Sequence, residues 1–155
     1  MNRIYLVIGK FAEITQKIEL MLGEVCEKSE IIKEFSRHTK ISKEDYNRVV
    51  EDSAFLKEKM ETLTFGQMIG TVYESKSLSQ DEINTLKDLL GKRNYFTHEY
   101  FKYTNFENAT EELIVDEFEA IKADLTKLSQ MLKRLKLINE NQLSRIEYLK
   151  TKHGL

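Results

Sequence analysis

Four side chains within eight residues carry the chemistry to weigh first: Arg93, Asn94, His98 and Tyr100. They lie in the stretch Gly91-Lys-Arg-Asn-Tyr-Phe-Thr-His-Glu-Tyr-Phe101. Leu89, Leu90, Tyr95, Phe96 and Phe101 supply apolar walls around them. Such walls lower the local dielectric and strengthen charge interactions. A guanidinium presents a planar fork that matches phosphate oxygens. An imidazole takes and gives a proton near neutral pH. Together they suffice to cleave a phosphodiester without a metal ion, provided the substrate brings its own nucleophile. RNA does, in its 2′-hydroxyl. The imidazole would deprotonate that hydroxyl or protonate the leaving oxygen. The guanidinium would stabilise the charge that builds up in the transition state.

Spacing limits how one helix can present this set. Each residue turns an α-helix by about 100°. Asn94 and His98, four apart, share a face. Arg93 and Tyr100, seven apart, share another. Arg93 and His98, five apart, are separated by about 140°. A single straight helix therefore does not set the guanidinium against the imidazole. The arginine must wrap around, the helix must kink, or another element must complete the site. A second copy of the same helix across a two-fold axis would do so. The structural alternative is plain: Arg93 as a surface ion-pair partner of Asp88 or Glu99, and His98 as a hydrogen-bonded core histidine.

The elements that must position these residues read as helices throughout. The chain has 155 residues, no proline and six glycines, and is 41% hydrophobic and 32% charged. That composition points to an all-α protein. Its length suits one domain, 1–155, able to bury roughly 70% of the unfolded surface. Ile4, Phe11, Ile14, Ile18, Met21 and Val25 form an apolar stripe that predicts one helix from residue 2 to about 34. Leu6, Val7, Leu20 and Leu22 widen it toward either a central core helix or a dimer face. A polar break over Ser36–Ile41 holds His38, which reads as a solvated loop histidine. Ser42 begins the next helix, with acids in its first turn and a bend or break expected near Asp52-Ser53. Thr64…Gln67 and Ser79…Glu82 fit capping boxes. The first opens a short helix carrying Gly66 and Gly70. The second opens the helix that carries the polar cluster, expected to run to about Tyr103.

Residues Thr104–Asn108 then read as a loop, and Asn108-Ala-Thr-Glu111 as the cap of the last long helix. Ile114, Phe118, Ile121, Leu125, Leu128, Leu132 and Leu135 alternate four and three apart, a heptad seam. Lys127, Lys133, Arg134 and Lys136 gather positive charge near its end, either as a solvated face or as a surface that tracks RNA. Asn139–Gln142 is expected to break the seam, Leu143, Ile146 and Leu149 to form a last helix, and the tail to Leu155 to fray. The fold class is thus an all-α bundle of about five or six helices.

Charge and composition narrow the function classes. The net charge is −2 and the isoelectric point about 6.0, which argues against a broad basic surface for wrapping DNA. A small local basic site is not excluded. Cys26 is the only cysteine, so neither an internal disulfide nor a cysteine-based zinc site is available, and a reducing cytoplasm is the simplest compartment. Lys10, Glu13, Lys17 and Glu19 interrupt the N-terminal apolar run before it could span a bilayer, and no signal-peptide cleavage pattern follows it. A metal site in a helical bundle would need Glu-x-x-His pairs. Three residues before His98 stands Tyr95, so no metal and no cofactor are expected.

The run Arg93-Asn94-Tyr95-Phe96-Thr97-His98 resembles the HEPN domain family, whose ribonuclease members carry Arg, four to six residues, then His. Asn94 directly after the arginine fits many members. Tyr100 extends the likeness to Arg-x4-His-x-Tyr, a form seen in HEPN toxins that pair with a nucleotidyltransferase antitoxin. The specific likeness covers about Leu86–Tyr103. It implies an all-α, usually homodimeric protein that cleaves RNA without metal in a dimer cleft. Arg93 and His98 would be its catalytic pair, with Asn94 orienting them. It further implies a toxin of a toxin–antitoxin or antiphage system, with any antitoxin a separate protein that attaches nucleotide at Tyr100. The competing reading is a non-catalytic helical module of the same fold that binds a protein partner or a nucleotide.

Overall fold

In a computed structural model of the chain, residues 2–103 and 110–155 are described. All their regular elements are helices: α1 (Asn2–Arg37), α2 (Lys43–Glu61), α3 (Phe65–Ser75), α4 (Gln80–His98), the one-turn α5 (Tyr100–Tyr103) and α6 (Glu111–His153). The all-α bundle expected from composition is the fold observed. None of the described helices is long and apolar enough to cross a membrane. The expected loop Thr104–Asn108, and with it the start of the cap at Asn108, falls outside the described residues.

Two long helices organise the rest. The 36 residues of α1 and 43 of α6 pack along each other more extensively than any other pair, with α2 next against α1. Of the α1 stripe, Ile4, Phe11, Ile14, Ile18 and Val25 are buried and Met21 packs partly buried beside them; of the residues that widen it, Leu22 is buried and Val7 partly buried, while Leu6 and Leu20 remain exposed. The heptad seam supplies the α6 side. Ile121, Leu128 and Leu135 are fully buried, and Ile114, Phe118, Leu125 and Leu132 pack beside them. Burial of this kind, at about 25 cal/mol per Å² of apolar area, is the main force holding the bundle.

Three boundaries differ from the sequence reading. First, α2 is continuous through Asp52-Ser53, because the Ser53 hydroxyl, itself buried, donates to the Val49 carbonyl at 2.7 Å instead of competing with the helix. Second, α6 runs unbroken through Asn139–Gln142. Asn139 Nδ2 donates to Glu24 Oε2 at 3.2 Å, and Gln142 Nε2 to the Val25 carbonyl at 3.1 Å. These amides bind α6 to the middle of α1 rather than ending it. Third, the tail does not fray. Gly154 adopts the left-handed conformation (φ 72°), and the Gly154 and Leu155 amides donate to the Thr151 and Lys150 carbonyls, a Schellman-type close. His153 Nδ1 accepts from the Ile41 amide at 3.2 Å. Leu155 packs on a second core of Ile31, Phe35, Ile41, Ile146 and Leu149.

The helix that carries the cluster is anchored by its own N-terminus. Ser79 Oγ accepts from the Glu82 amide at 3.2 Å and the Ser79 amide donates to Glu82 Oε2 at 2.8 Å, the reciprocal capping box expected there. Thr64 and Gln67 form the corresponding box on α3. Ile83, Leu86, Leu89, Leu90 and Phe96 then bury one face of α4 against the main core.

Candidate functional site

The polar cluster sits where α4 ends. The helix stops at His98, not at Tyr103, because Glu99 leaves the helical region (φ −123°, ψ −30°) while its amide still donates to the Tyr95 carbonyl at 2.8 Å. Neither glycine nor proline marks this break. The chain restarts as α5, which buries Tyr100 beside Tyr95 and Phe96 of α4.

Burial of α4 on one face leaves the opposite residues outward. Asn94, Thr97 and His98 are exposed, and Arg93 is partly exposed. Asn94 and His98 share a face, as their spacing requires. His98 is not a core histidine, and among the described residues its ring makes no hydrogen bond or ion pair.

Arg93 is placed by an acid that the sequence reading did not connect to it. Its Nη2 lies 3.5 Å from Glu19 Oε1 on α1, and its Nη1 donates to Asn94 Oδ1 at 3.3 Å. The pair expected with Asp88 or Glu99 does not form; Asp88 faces Lys92 at 3.6 Å, and Lys92 also bridges to Asp124 on α6 at 2.8 Å. Guanidinium carries five N–H donors. Two long, weakly directional contacts leave donors for an incoming anion. Glu19 could not have been found from the cluster's own spacing, since it lies 74 positions earlier in the chain (93 − 19). The available signal was its place between the buried Ile18 and exposed Leu20, at the edge of the α1 stripe.

Tyr100 is 1% exposed. Its hydroxyl donates to Glu117 Oε2 on α6 at 3.3 Å, and its ring meets Tyr95 and Phe96 edge-on, with centroids 5.9 and 5.3 Å away. Burial, with the Glu117 carboxylate beside it, pushes the phenol well above its ordinary range, so it stays neutral. The seven-residue spacing from Arg93 does not place it on the arginine's face, because the helix is interrupted between them. In this conformation the hydroxyl is a tether between α5 and α6 and is not presented to another protein.

Of the apolar wall residues, Leu89, Leu90 and Phe96 belong to the core, and Phe96 stacks edge-on against Phe11 at 5.1 Å. Tyr95 is 42% exposed, three residues before His98 and so on a neighbouring part of the same surface. The side chain of Phe101 is outside the described residues. His38 is exposed in the α1–α2 loop, 3.9 Å from Glu34, and takes no part.

The arrangement thus sets an outward imidazole and an amide on one face, with a carboxylate-held guanidinium one side away. The angle between Arg93 and His98 is not closed by a wrap of the arginine, which turns toward α1. Among the described residues no three His, Cys, Asp or Glu side chains converge as a metal-ligand set. No family model, curated protein or solved structure matches this chain.

Proposed function

We propose that the chain is a metal-independent endoribonuclease acting as a homodimer, with the active cleft formed where two copies of α4 meet. His98 serves as the acid–base group on the 2′-hydroxyl and the leaving 5′-oxygen. Arg93 binds the scissile phosphate and stabilises its transition-state charge. Asn94 and Glu19 orient Arg93. The observation that carries this reading is the outward His98, without a partner among the described residues, beside a guanidinium held by only two long contacts. A second copy supplies what one copy lacks, an arginine facing that imidazole.

On the strength of Arg-x4-His-x-Tyr, we read the enzyme further as the toxin of a toxin–antitoxin or antiphage system, opposed by a separate nucleotidyltransferase-type antitoxin. Attachment of nucleotide to Tyr100 would first require α5 to swing away from Glu117.

The Arg93–Glu19 pair also favours a second reading, a non-catalytic module in which the arginine is structural and the face around His98 binds a protein or nucleotide. RNA cleavage by the purified protein in EDTA separates the two. The expected result is cleavage by the unmodified chain and none by His98→Ala or Arg93→Ala. An inactive parent, or variants that cleave as well as the parent, would sink the nuclease reading.

A further inference from the structure

A cavity of about 300 Å³ opens between α1, α2 and α3, directly beside the residue that holds Arg93. Its walls are Met60, Met68, Leu20 and Gly23, and its rim carries Gln16, Glu19, Lys57 and Glu61. Met60 and Met68 are buried, so the floor is apolar and thioether-lined, an adaptable surface suited to an aromatic face. The size lies at the lower limit for small-molecule sites, enough for one flat heterocycle.

The rim has a definite polarity. Lys57 lines the cavity, its ammonium shared loosely between Glu24 at 3.6 Å and Glu27 at 4.0 Å. Glu19 is engaged with Arg93. Glu61 and Gln16 are exposed, and among the described residues neither side chain has a hydrogen-bond or ion-pair partner. The cavity therefore offers a free carboxylate, an amide and an apolar floor, with a single lysine that already faces two carboxylates. Glu19 and Glu61 on the rim, with Glu24 and Glu27 around its one lysine, leave the surroundings net negative and disfavour a phosphate there. A base edge rich in N–H donors would be accepted.

We infer that this cavity is a nucleobase pocket that prefers guanine, seating the base next to the scissile phosphate. This rests on the ribonuclease reading for its role, though not for its existence. Guanine presents two adjacent N–H donors, N1–H and N2–H, to a carboxylate, which accepts them in parallel. Its O6 faces the amide of Gln16. Uracil sets carbonyl oxygens on both sides of its single N–H, and these oppose Glu61. Arg93 stands one ion-pair contact beyond Glu19, so a nucleotide seated here carries its phosphate toward the guanidinium. The acidic rim thus orients the substrate, base inward and phosphate outward.

The test follows the methionine methyl resonances of the full chain during titration with guanosine or uridine. Guanosine should move the Met60 and Met68 signals saturably and leave Met131 on α6 in place. Uridine should bind about tenfold more weakly. Glu61→Gln should weaken guanosine by about tenfold, the effect of one charged acceptor, and Leu20→Trp should close the mouth and abolish the shifts. Should Glu61→Gln fail to fold, Gln16→Ala reports on the same edge. Met60 and Met68 signals that ignore guanosine, equal response to both nucleosides, or full affinity in a folded rim variant would each overturn the pocket. A protein that cleaves RNA without these shifts loses the pocket and keeps the nuclease. One that shows them but cleaves nothing keeps the pocket and loses the nuclease.

Discussion

The two ends of α4 treat their polar groups in opposite ways. At the N-terminus, Ser79 and Glu82 satisfy each other, and the remaining Glu82 oxygen accepts from Arg134 Nε on α6 at 2.6 Å. Both Glu82 oxygens and the Ser79 hydroxyl are thereby engaged. At the C-terminus, Glu99 ends the helix without a glycine cap, and Asn94, Thr97 and His98 face outward. Only Arg93 is drawn inward, by Glu19. One helix thus carries a closed polar network at one end and an open one at the other. A polar residue that completes a helix end stabilises the fold. One that leaves its donors or acceptors unmet near a core is a candidate for chemistry.

The largest effects should divide along this line. His98→Ala and Arg93→Ala are expected to lower RNA cleavage by about 10²–10⁴-fold, the range for a general acid–base group or an electrostatic stabiliser. Neither should change the free energy of unfolding by more than about 1 kcal/mol, since both side chains reach solvent. Leu86 lies midway along the same helix, fully buried. Leu86→Ala should cost about 2–5 kcal/mol. Urea denaturation read beside single-turnover cleavage gives both quantities. If His98→Ala destabilised the chain as much as Leu86→Ala, the open end of α4 would be part of the scaffold.

Much of the closed end was legible in the sequence, and little of the open end. A capping box involves residues three apart, so Ser79…Glu82 and Thr64…Gln67 reveal themselves locally. The seam from Ile114 to Leu135 is likewise a local periodicity. What escaped the reading depends on contacts across the bundle. Asn139 and Gln142 look like a helix break until Glu24 and the Val25 carbonyl on α1 accept from them. The interruption at Glu99 has no breaker residue; it coincides with burial of Tyr100 against Glu117, seventeen positions on. The Glu19 partner of Arg93 is a tertiary fact of the same kind. The motif named the chemically able residues but not which of them face solvent. The fold hides Tyr100 and exposes His98.

A smaller effect tests the closed end directly. Ser79→Ala removes the acceptor for the Glu82 amide and should destabilise the chain by about 1 kcal/mol. Cleavage per folded molecule should be unchanged, because the helix end that carries His98 lies about 28 Å away along the α4 axis. A loss of activity exceeding the loss of folded protein would mean that the two ends are coupled through α4.

The smallest expected effect lies in the Glu82–Arg134 pair. Its side chains are partly exposed, and such pairs contribute about 0–1 kcal/mol. A double-mutant cycle with Glu82→Gln and Arg134→Gln should return a coupling in that range at neutral pH, lower still in high salt. Burial pushes the Glu82 carboxyl up, but the Ser79 amide and Arg134 outweigh it and hold it below its ordinary value of 4.5. The folded chain therefore binds this proton less readily than the unfolded chain. The stabilisation is present above about pH 4.5, declines as pH falls further, and is lost as pH passes below the depressed folded value. Repeating the cycle across this acidic window should bring the coupling to zero. A coupling that survived full protonation of Glu82 would mean that hydrogen-bond geometry, rather than charge, joins the closed end of α4 to α6.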